Sequence, residues 1–369
     1  MVPNMATFRS IVCPVDFSEH SVQALRLAVG LAGRDGARLT VLTVNEPFLV
    51  EAAAAAQYGS DYVAHEAAKE MRAVFESLIP SVKSWAPPPH VVVRTGTIDR
   101  EILECAAGEN ADLIVMGTHG LGGYRKMFFG SVTERVLRGS SIPVLAVPLT
   151  ERRIVVFSER GPLFNVPGIL VPVDLSPSSD RQIRLAAELA RGFGTSLLAV
   201  HVVAEVRAYA GVHDAVKAHE RTRLRQARER LARLADAASG GVLVETRVTY
   251  GHPADEIARV AIEQEIGLIV MGLTGDGASG SCPGSVAYRV LTMAPAPVFA
   301  LPLKEGVTGR EELSRAKEGF PNLLRVEAAP RGPDSAHFIR DREIEDATVC
   351  QAEREFHASL MEACQVKQI

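Results

Sequence analysis

The run Leu113-Ile114-Val115-Met116-Gly117 recurs letter for letter, 155 positions on, as Leu268-Ile269-Val270-Met271-Gly272. Around it two copies keep a common order. Pro14-Val15-Asp16-x-Ser18 matches Pro172-Val173-Asp174-x-Ser176 at an offset of 158. Gly96 and Ile102 match Gly251 and Ile257 at 155, and Pro143-Val144 matches Pro297-Val298 at 154. Copies of about 140 residues are far longer than a solenoid unit, so the pattern predicts duplicated domains. The drift in offset is expected where connecting segments differ in length.

Within the first copy, apolar runs alternate with helical patterns. Strands are predicted at 11–15, 39–44, 91–93, 113–116 and 144–147. The first helix should start at Ser18 as N-cap, carry Val22, Leu25, Ala28, Val29 and Ala32 on one face, and stop at Gly33. Further helices are predicted at 62–79, 98–107 and 132–137. Five strands and four helices in strict alternation predict an α/β fold: two tandem doubly wound, Rossmann-like domains, each a five-stranded parallel sheet with helices on both faces. In the second copy, Ser176-Pro177 reads as a cap followed by a helix-starting proline.

The domains are expected at 1–150 and 168–303, joined by a linker at 151–167 that contains the breakers Gly161-Pro162 and Pro167-Gly168. The tail, 304–369, is polar and holds Gly306, Pro321, Pro330 and Pro333. Its first part has too few apolar residues to offset ordering entropy, while its last part, from about 339 to 366, lacks Gly and Pro and reads as a possible helix. Hydrophobic residues make up 47% of the chain but aromatics only 5%, which suits aliphatic helices on a buried parallel sheet. A net charge of -4 gives no global case for nucleic acid or an anionic membrane as partner. Cys13, Cys105, Cys282, Cys350 and Cys364 are scattered without a CxxC pair. With no apolar leader in residues 1–9 and no uninterrupted apolar run of about 18, the expectation is a cytoplasmic protein.

The chemistry-bearing residues fall at predicted strand ends. Asp16 follows the first strand, Val44 ends the second and Gly117 ends the fourth, all at the carboxyl edge where doubly wound sheets bind ligands. Asp16 offers a carboxylate to ribose hydroxyls. Gly117 permits close approach to the backbone. Gly130-Ser131, opening a helix, offer N–H groups and a hydroxyl to phosphate, with Arg125 and Lys126 as cations. Singly, each has a structural explanation: a turn carboxylate, a turn glycine or an N-cap serine. Their coincidence at three strand ends points to a nucleotide.

Pro14-Val15-Asp16-x-Ser18, then Met116-Gly117-Thr118-His119-Gly120, nine residues, and Gly130-Ser131-Val132 closely resemble the universal stress protein family. The Pro143-Val144-x-x-Val147 segment resembles that family's final strand. The resemblance spans both copies and leaves the linker and tail unexplained. It implies the ATP-binding subgroup, with ATP, with or without Mg, as cofactor. Pro14, Val15 and Asp16 would belong to the nucleotide site. Asp16 and Gly117 would face ribose, and main chain at Val15, Val44 and Met116 would lie near adenine. Gly120, Gly130, Ser131 and Val132 would hold phosphates, with His119 alongside. It also implies that final strands pair domains, so 144–147 would lie against 298–301 within one chain, or pair between copies in a homo-oligomer.

The second copy departs from the pattern. Between Gly275 and Gly284 there are eight residues instead of nine, with Asp276 and no Lys or Arg. A carboxylate facing a triphosphate repels it, so this copy is expected to be degenerate for ATP despite keeping Asp174 and Gly284-Ser285. Its helix at about 214–238 carries Arg221, Arg223, Arg225, Arg228, Arg230 and Arg233 around an apolar seam of Leu224, Ala227, Leu231, Leu234 and Ala238. That reads as a solvated face, with Glu220, Glu229 and Asp236 diluting any nucleic-acid surface. Cys282 reads as a small filler residue. His201, His213 and His219 lack metal-ligand spacing, no Walker A lysine follows the glycine loop, and Ser131 has no His–Asp partner arrangement. No catalytic residue or metal ligand is assigned. The sequence therefore predicts a nucleotide-dependent sensor with an unknown protein client and no nucleic-acid or membrane partner. A slow ATPase using His119 and a nucleotide-free scaffold are the alternatives.

Overall fold

A computed structural model describes residues 8–59, 61–78, 88–120, 130–149, 154–158, 161–205, 213–273 and 284–302. The tail and the segments holding Arg125, Lys126, Asp276 and Cys282 lie outside the described residues. The first half runs β1 (Ser10–Pro14), α1 (Glu19–Asp35), β2 (Arg38–Asn45), α2 (Pro47–Ala55), α3 (Tyr62–Leu78), β3 (His90–Thr95), α4 (Ile98–Gly108), β4 (Leu113–Gly117), α5 (Ser131–Gly139) and β5 (Val144–Val147). Two linker strands follow, β6 (Val155–Ser158) and β7 (Gly161–Phe164). The second half runs β8 (Gly168–Pro172), α6 (Ser178–Phe193), β9 (Ser196–Ala204), α7 (His213–Ala238), β10 (Val244–Gly251), α8 (Pro253–Glu263), β11 (Leu268–Gly272), α9 (Ser285–Met293) and β12 (Val298–Leu301).

Each half is the predicted parallel five-stranded sheet, and the two are fused. The order is β10-β9-β8-β11-β12-β5-β4-β1-β2-β3, one ten-stranded sheet. Every pairing inside a half is parallel, and the seam alone is antiparallel: Val298, Phe299 and Ala300 stand opposite Ala146, Leu145 and Val144. The final strands thus lie against each other within the chain, and each covers the edge the other would expose. One apolar core crosses the seam, with Val12, Leu42, Ile114 and Val136 continuing into Leu170, Ile257, Ile269, Val290 and Val298. On the other side of the sheet, Phe8 stacks on Phe299 at 6.1 Å between centroids.

Four local expectations need correction. Helix α1 takes Ser18 as its cap, with Ser18 Oγ accepting from Ser21 N, but runs through Gly33 to a left-handed C-cap at Gly36 (φ 67). Only Gly36 needs that conformation, so only Gly36 stops the helix. Helix α2 went unpredicted because none of its residues is buried, leaving no apolar stripe to read. At α6 the cap position is held by Pro177 without a side-chain cap, while Ser176 Oγ contacts Ser178 Oγ at 2.7 Å. Finally, the described linker residues hold two strands that were not predicted. β6 and β7 pair antiparallel and pack on α1, where a Cβ at Gly30 would stand 2.6 Å from Val155 Cγ2. Arg34 lies over Phe164 and Phe193, at 5.3 and 4.3 Å from the ring centroids, tying α1 to linker and second half.

The offset between copies drifts where expected. Pro14 aligns with Leu42 and Pro172 with Val200, so the offset is still 158 at β2 and β9. It falls to 155 across the next connection, where the first half has α2 and α3 and the described residues of the second have α7.

Candidate functional site

Strand order reverses between β1 and β4, the crevice in which doubly wound sheets receive ligands. Asp16 sits above it in a strained turn: Phe17, not a glycine, takes φ 64. That turn aims Asp16 Oδ1 at Ser18 N (3.1 Å) and Ser18 Oγ (2.6 Å), which locks one carboxylate oxygen to the start of α1. Asp16 Oδ2 faces Gly120, lying 2.5 Å from where a Cβ there would be. The carboxylate and the Gly120 backbone form one wall. The strain is duplicated at Leu175 (φ 64), beside Asp174.

The remaining predicted residues gather at the same edge with different roles. Pro14 ends β1, and Val15 behind it is buried, its N–H donating to Leu42 O (2.8 Å) and its carbonyl accepting from Thr43 Oγ1 (3.2 Å). Val44 is half-buried, whereas the Met116 side chain belongs to the core. A Cβ on Gly117 would stand 2.9 Å from His20 Cβ, so glycine here lets helix α1 pack close against the end of β4. Gly130 caps α5 with no side-chain hydrogen bond, and a Cβ there would meet Thr118 O at 2.9 Å. Ser131 is exposed at the first position of α5, and Val132 packs against the core. Thr133 Oγ1 donates to Gly117 O at 2.9 Å, fixing α5 against the end of β4.

Two residues at this edge were missed. His20, in the first turn of α1, faces His119 at 5.2 Å between ring centroids. Burial pushes the His20 pKa down from its usual 6.5, and repulsion by His119 adds to the shift, against the opposing pull of Glu19 and Asp16. His119 Nδ1 lies 3.0 Å from Thr118 Oγ1. Asn45, ending β2 beside Val44, is 6% exposed, and its Nδ2 has no hydrogen-bond partner among the described residues. A buried polar atom in that state calls for an explanation. Asn45 closes a strand that also holds Arg38, Thr40 and Thr43, so no sequence signal set it apart. Cys13 and Cys105 are buried thiols; burial raises both, Cys105 to about 11, so neither is a ready nucleophile.

The second half builds the same edge with different contents. Asp174 Oδ1 accepts from Ser176 N and Ser179 Oγ, each at 3.0 Å. Gln182 is buried where the first half has Ala24, and its Nε2 donates to Pro172 O (2.6 Å) and Val270 O (3.0 Å). The switch-point carbonyls are thus bridged from inside. Val203 takes the place of Asn45, and His201 that of Thr43, with His201 Nδ1 2.8 Å from Val173 O.

The fold defines a tandem doubly wound α/β protein with a switch in strand order in each half. A model of the universal stress protein family matches residues 7–148 and again 167–302. The chain belongs to the universal stress protein family. A universal stress protein of Mycolicibacterium smegmatis is 26% identical over 302 residues, covering 80% of this chain and 98% of the relative. One from Thermus aquaticus is 33% identical over 148 residues, covering 38% of this chain and 98% of its own length. The crystal structure of a universal stress protein from Archaeoglobus fulgidus covers 79% of this chain and 96% of its own, at 24% identity and TM-score 0.53, a likeness of fold. Among the described residues, no helix is long and apolar enough to cross a membrane.

Proposed function

We propose that the first half binds an adenine nucleotide, ATP in the first instance, and that the chain acts in the cytoplasm as a nucleotide-dependent regulatory module in the stress response. The observation that carries this reading is Asn45: a buried amide without a described partner, at the carboxyl end of β2, where an adenine nitrogen or ribose oxygen supplies the missing acceptor. The remaining groups fit the same ligand. Asp16 serves ribose, and the α5 N-terminus, open at Gly130-Ser131, serves phosphate. The His20–His119 pair adds donors beside the phosphates when protonated. The second half is the weaker nucleotide binder, because Val203 replaces Asn45 and Gln182 bridges the switch-point carbonyls.

Two variants of the full chain test this by calorimetric titration with ATP and adenosine. Ser131→Asp adds a carboxylate at an exposed first helical position, which favours the helix but repels phosphate. ATP affinity should fall at least tenfold, about 1.4 kcal/mol, with adenosine little changed. Asn45→Val should weaken both ligands alike. A parent protein that binds neither ligand, or variants that bind ATP as the parent does, would overturn the assignment.

A further inference from the structure

Beyond the nucleotide reading, and independent of it, the second half carries a surface that the proposed function does not use. β10 is the terminal strand of the ten-stranded sheet. Its eight residues pair with β9 on one side, and among the described residues no strand pairs with the other. An eight-residue strand offers a main-chain edge of about 26 Å, with alternate N–H and C=O groups pointing outward.

Helix α7 packs over β10 and β9 and against α6. Its buried face is Ala227, Leu231, Ala235 and Ala238. Arg223 and Arg230, two turns apart on one flank, reach back to Ala204 O (3.4 Å) and Leu175 O (3.1 Å), over β9 and β8. Arg221, Arg225 and Arg228, at i, i+4 and i+7, line the opposite flank, which faces outward past β10. All three are exposed, and none has an ion pair or hydrogen bond among the described residues. Tyr250 OH donates to Glu220 of α7, whereas Arg247 pairs with Glu263 of α8 at 3.3 Å. The α7 side of β10 therefore presents Val244, Thr246, Val248 and Tyr250, with no charge of its own beneath the arginines.

We propose that the open edge of β10 and the Arg221–Arg225–Arg228 row form a docking site for an extended, acidic segment of a partner protein. An added strand places every second side chain on the α7 side, about 6.6 Å apart, close to the 6 Å step between Arg221 and Arg225. Acidic residues at those alternate positions meet the row, and the main chain supplies the pairing. A second copy of this chain fits poorly, because twofold pairing through β10 brings two arginine rows together. A nucleic acid fits poorly as well. The row is short, Glu229 and Asp236 are exposed on the same helix, and a phosphate backbone makes no use of a strand edge.

The test uses the full chain and an eight-residue peptide alternating Glu and Val. A Lys–Val peptide and a single-stranded oligonucleotide serve as comparisons. The Glu–Val peptide should bind, bind more weakly as salt rises, and slow amide exchange within Val244–Gly251. Arg221→Glu/Arg225→Glu/Arg228→Glu should weaken it at least tenfold, and the matching Gln variant should fall between, at unchanged circular dichroism. Failure of the Glu–Val peptide to bind overturns the proposal. So does binding that ignores the charge reversal, protection outside β10, or tighter capture of the oligonucleotide than of the peptide.

Discussion

At the scale of single residues, the first-half site is governed by groups whose charge depends on what lies beside them. His20 is the clearest case. Its lowered pKa means the unfolded chain holds its proton more tightly than the native one. The associated stability is present above the usual value of 6.5 and is lost as pH falls through the lowered native value. On the proposed reading a nucleotide reverses the preference, since phosphate beside His20 favours its protonated ring. Nucleotide binding should therefore take up protons, and its affinity should rise as pH falls from 7.5 to 5.5. Titrations in two buffers of different ionisation heat measure the uptake, and His20→Asn should reduce it. Zero uptake in the parent would place the phosphates away from the pair. These residues also mark where the sequence was legible. Asp16, Gly120 and Gly130 were readable because glycine and a turn carboxylate carry backbone requirements visible in one dimension. His20 and Asn45 were not, since their roles arise only when α1 meets β4 and when β2 ends in a buried setting. Gly117 was read for its freedom but not for the helix that uses it.

At the scale of elements, the strands were legible because buried parallel strands are continuous apolar runs, while α2 and the linker hairpin were not. A helix with no buried residue has no stripe, and Gly161-Pro162 reads as an interruption although it opens β7. The hairpin has a measurable anchor. Arg34 Nε bonds Asp35 at 2.6 Å, and the Asp35 side chain is only 2% exposed. Arg34→Ala would remove two ring contacts and strip a buried carboxylate of this guanidinium, so a loss of about 3 kcal/mol is expected in urea unfolding. Arg34→Ala/Asp35→Asn should recover part of it. A loss below about 0.5 kcal/mol, the size of an ordinary surface substitution, would show that the ion pair and rings anchor nothing. Gly30→Val belongs to the same contact. Its side chain enters space held by Val155, so it should speed amide exchange in β6 and β7 while leaving ligand affinity unchanged.

At the scale of the whole molecule, the duplication was plain from the repeats, whereas the pairing of final strands came from the family resemblance, which left pairing within one chain and between copies both open. A chain ending at Thr150 loses the partner of its final strand. It should self-associate through β5, sedimenting at twice its own mass. Leu145→Lys in that short chain should prevent association, and a monomer without the lysine would mean the edge protects itself. The antiparallel seam carries a further consequence. Because every strand of one half runs against every strand of the other, the carboxyl rims carrying Asp16 and Asp174 look in opposite directions. Ligands bound at both, were the proposed reading extended to the second half, would lie on opposite rims of the sheet. Among the described residues the halves meet through the shared core, the three paired positions from Val298↔Ala146 to Ala300↔Val144, the Phe8–Phe299 stack and Arg34 over Phe193. On the proposed reading the chain is a pair of outward-looking ports set back to back on one shared wall.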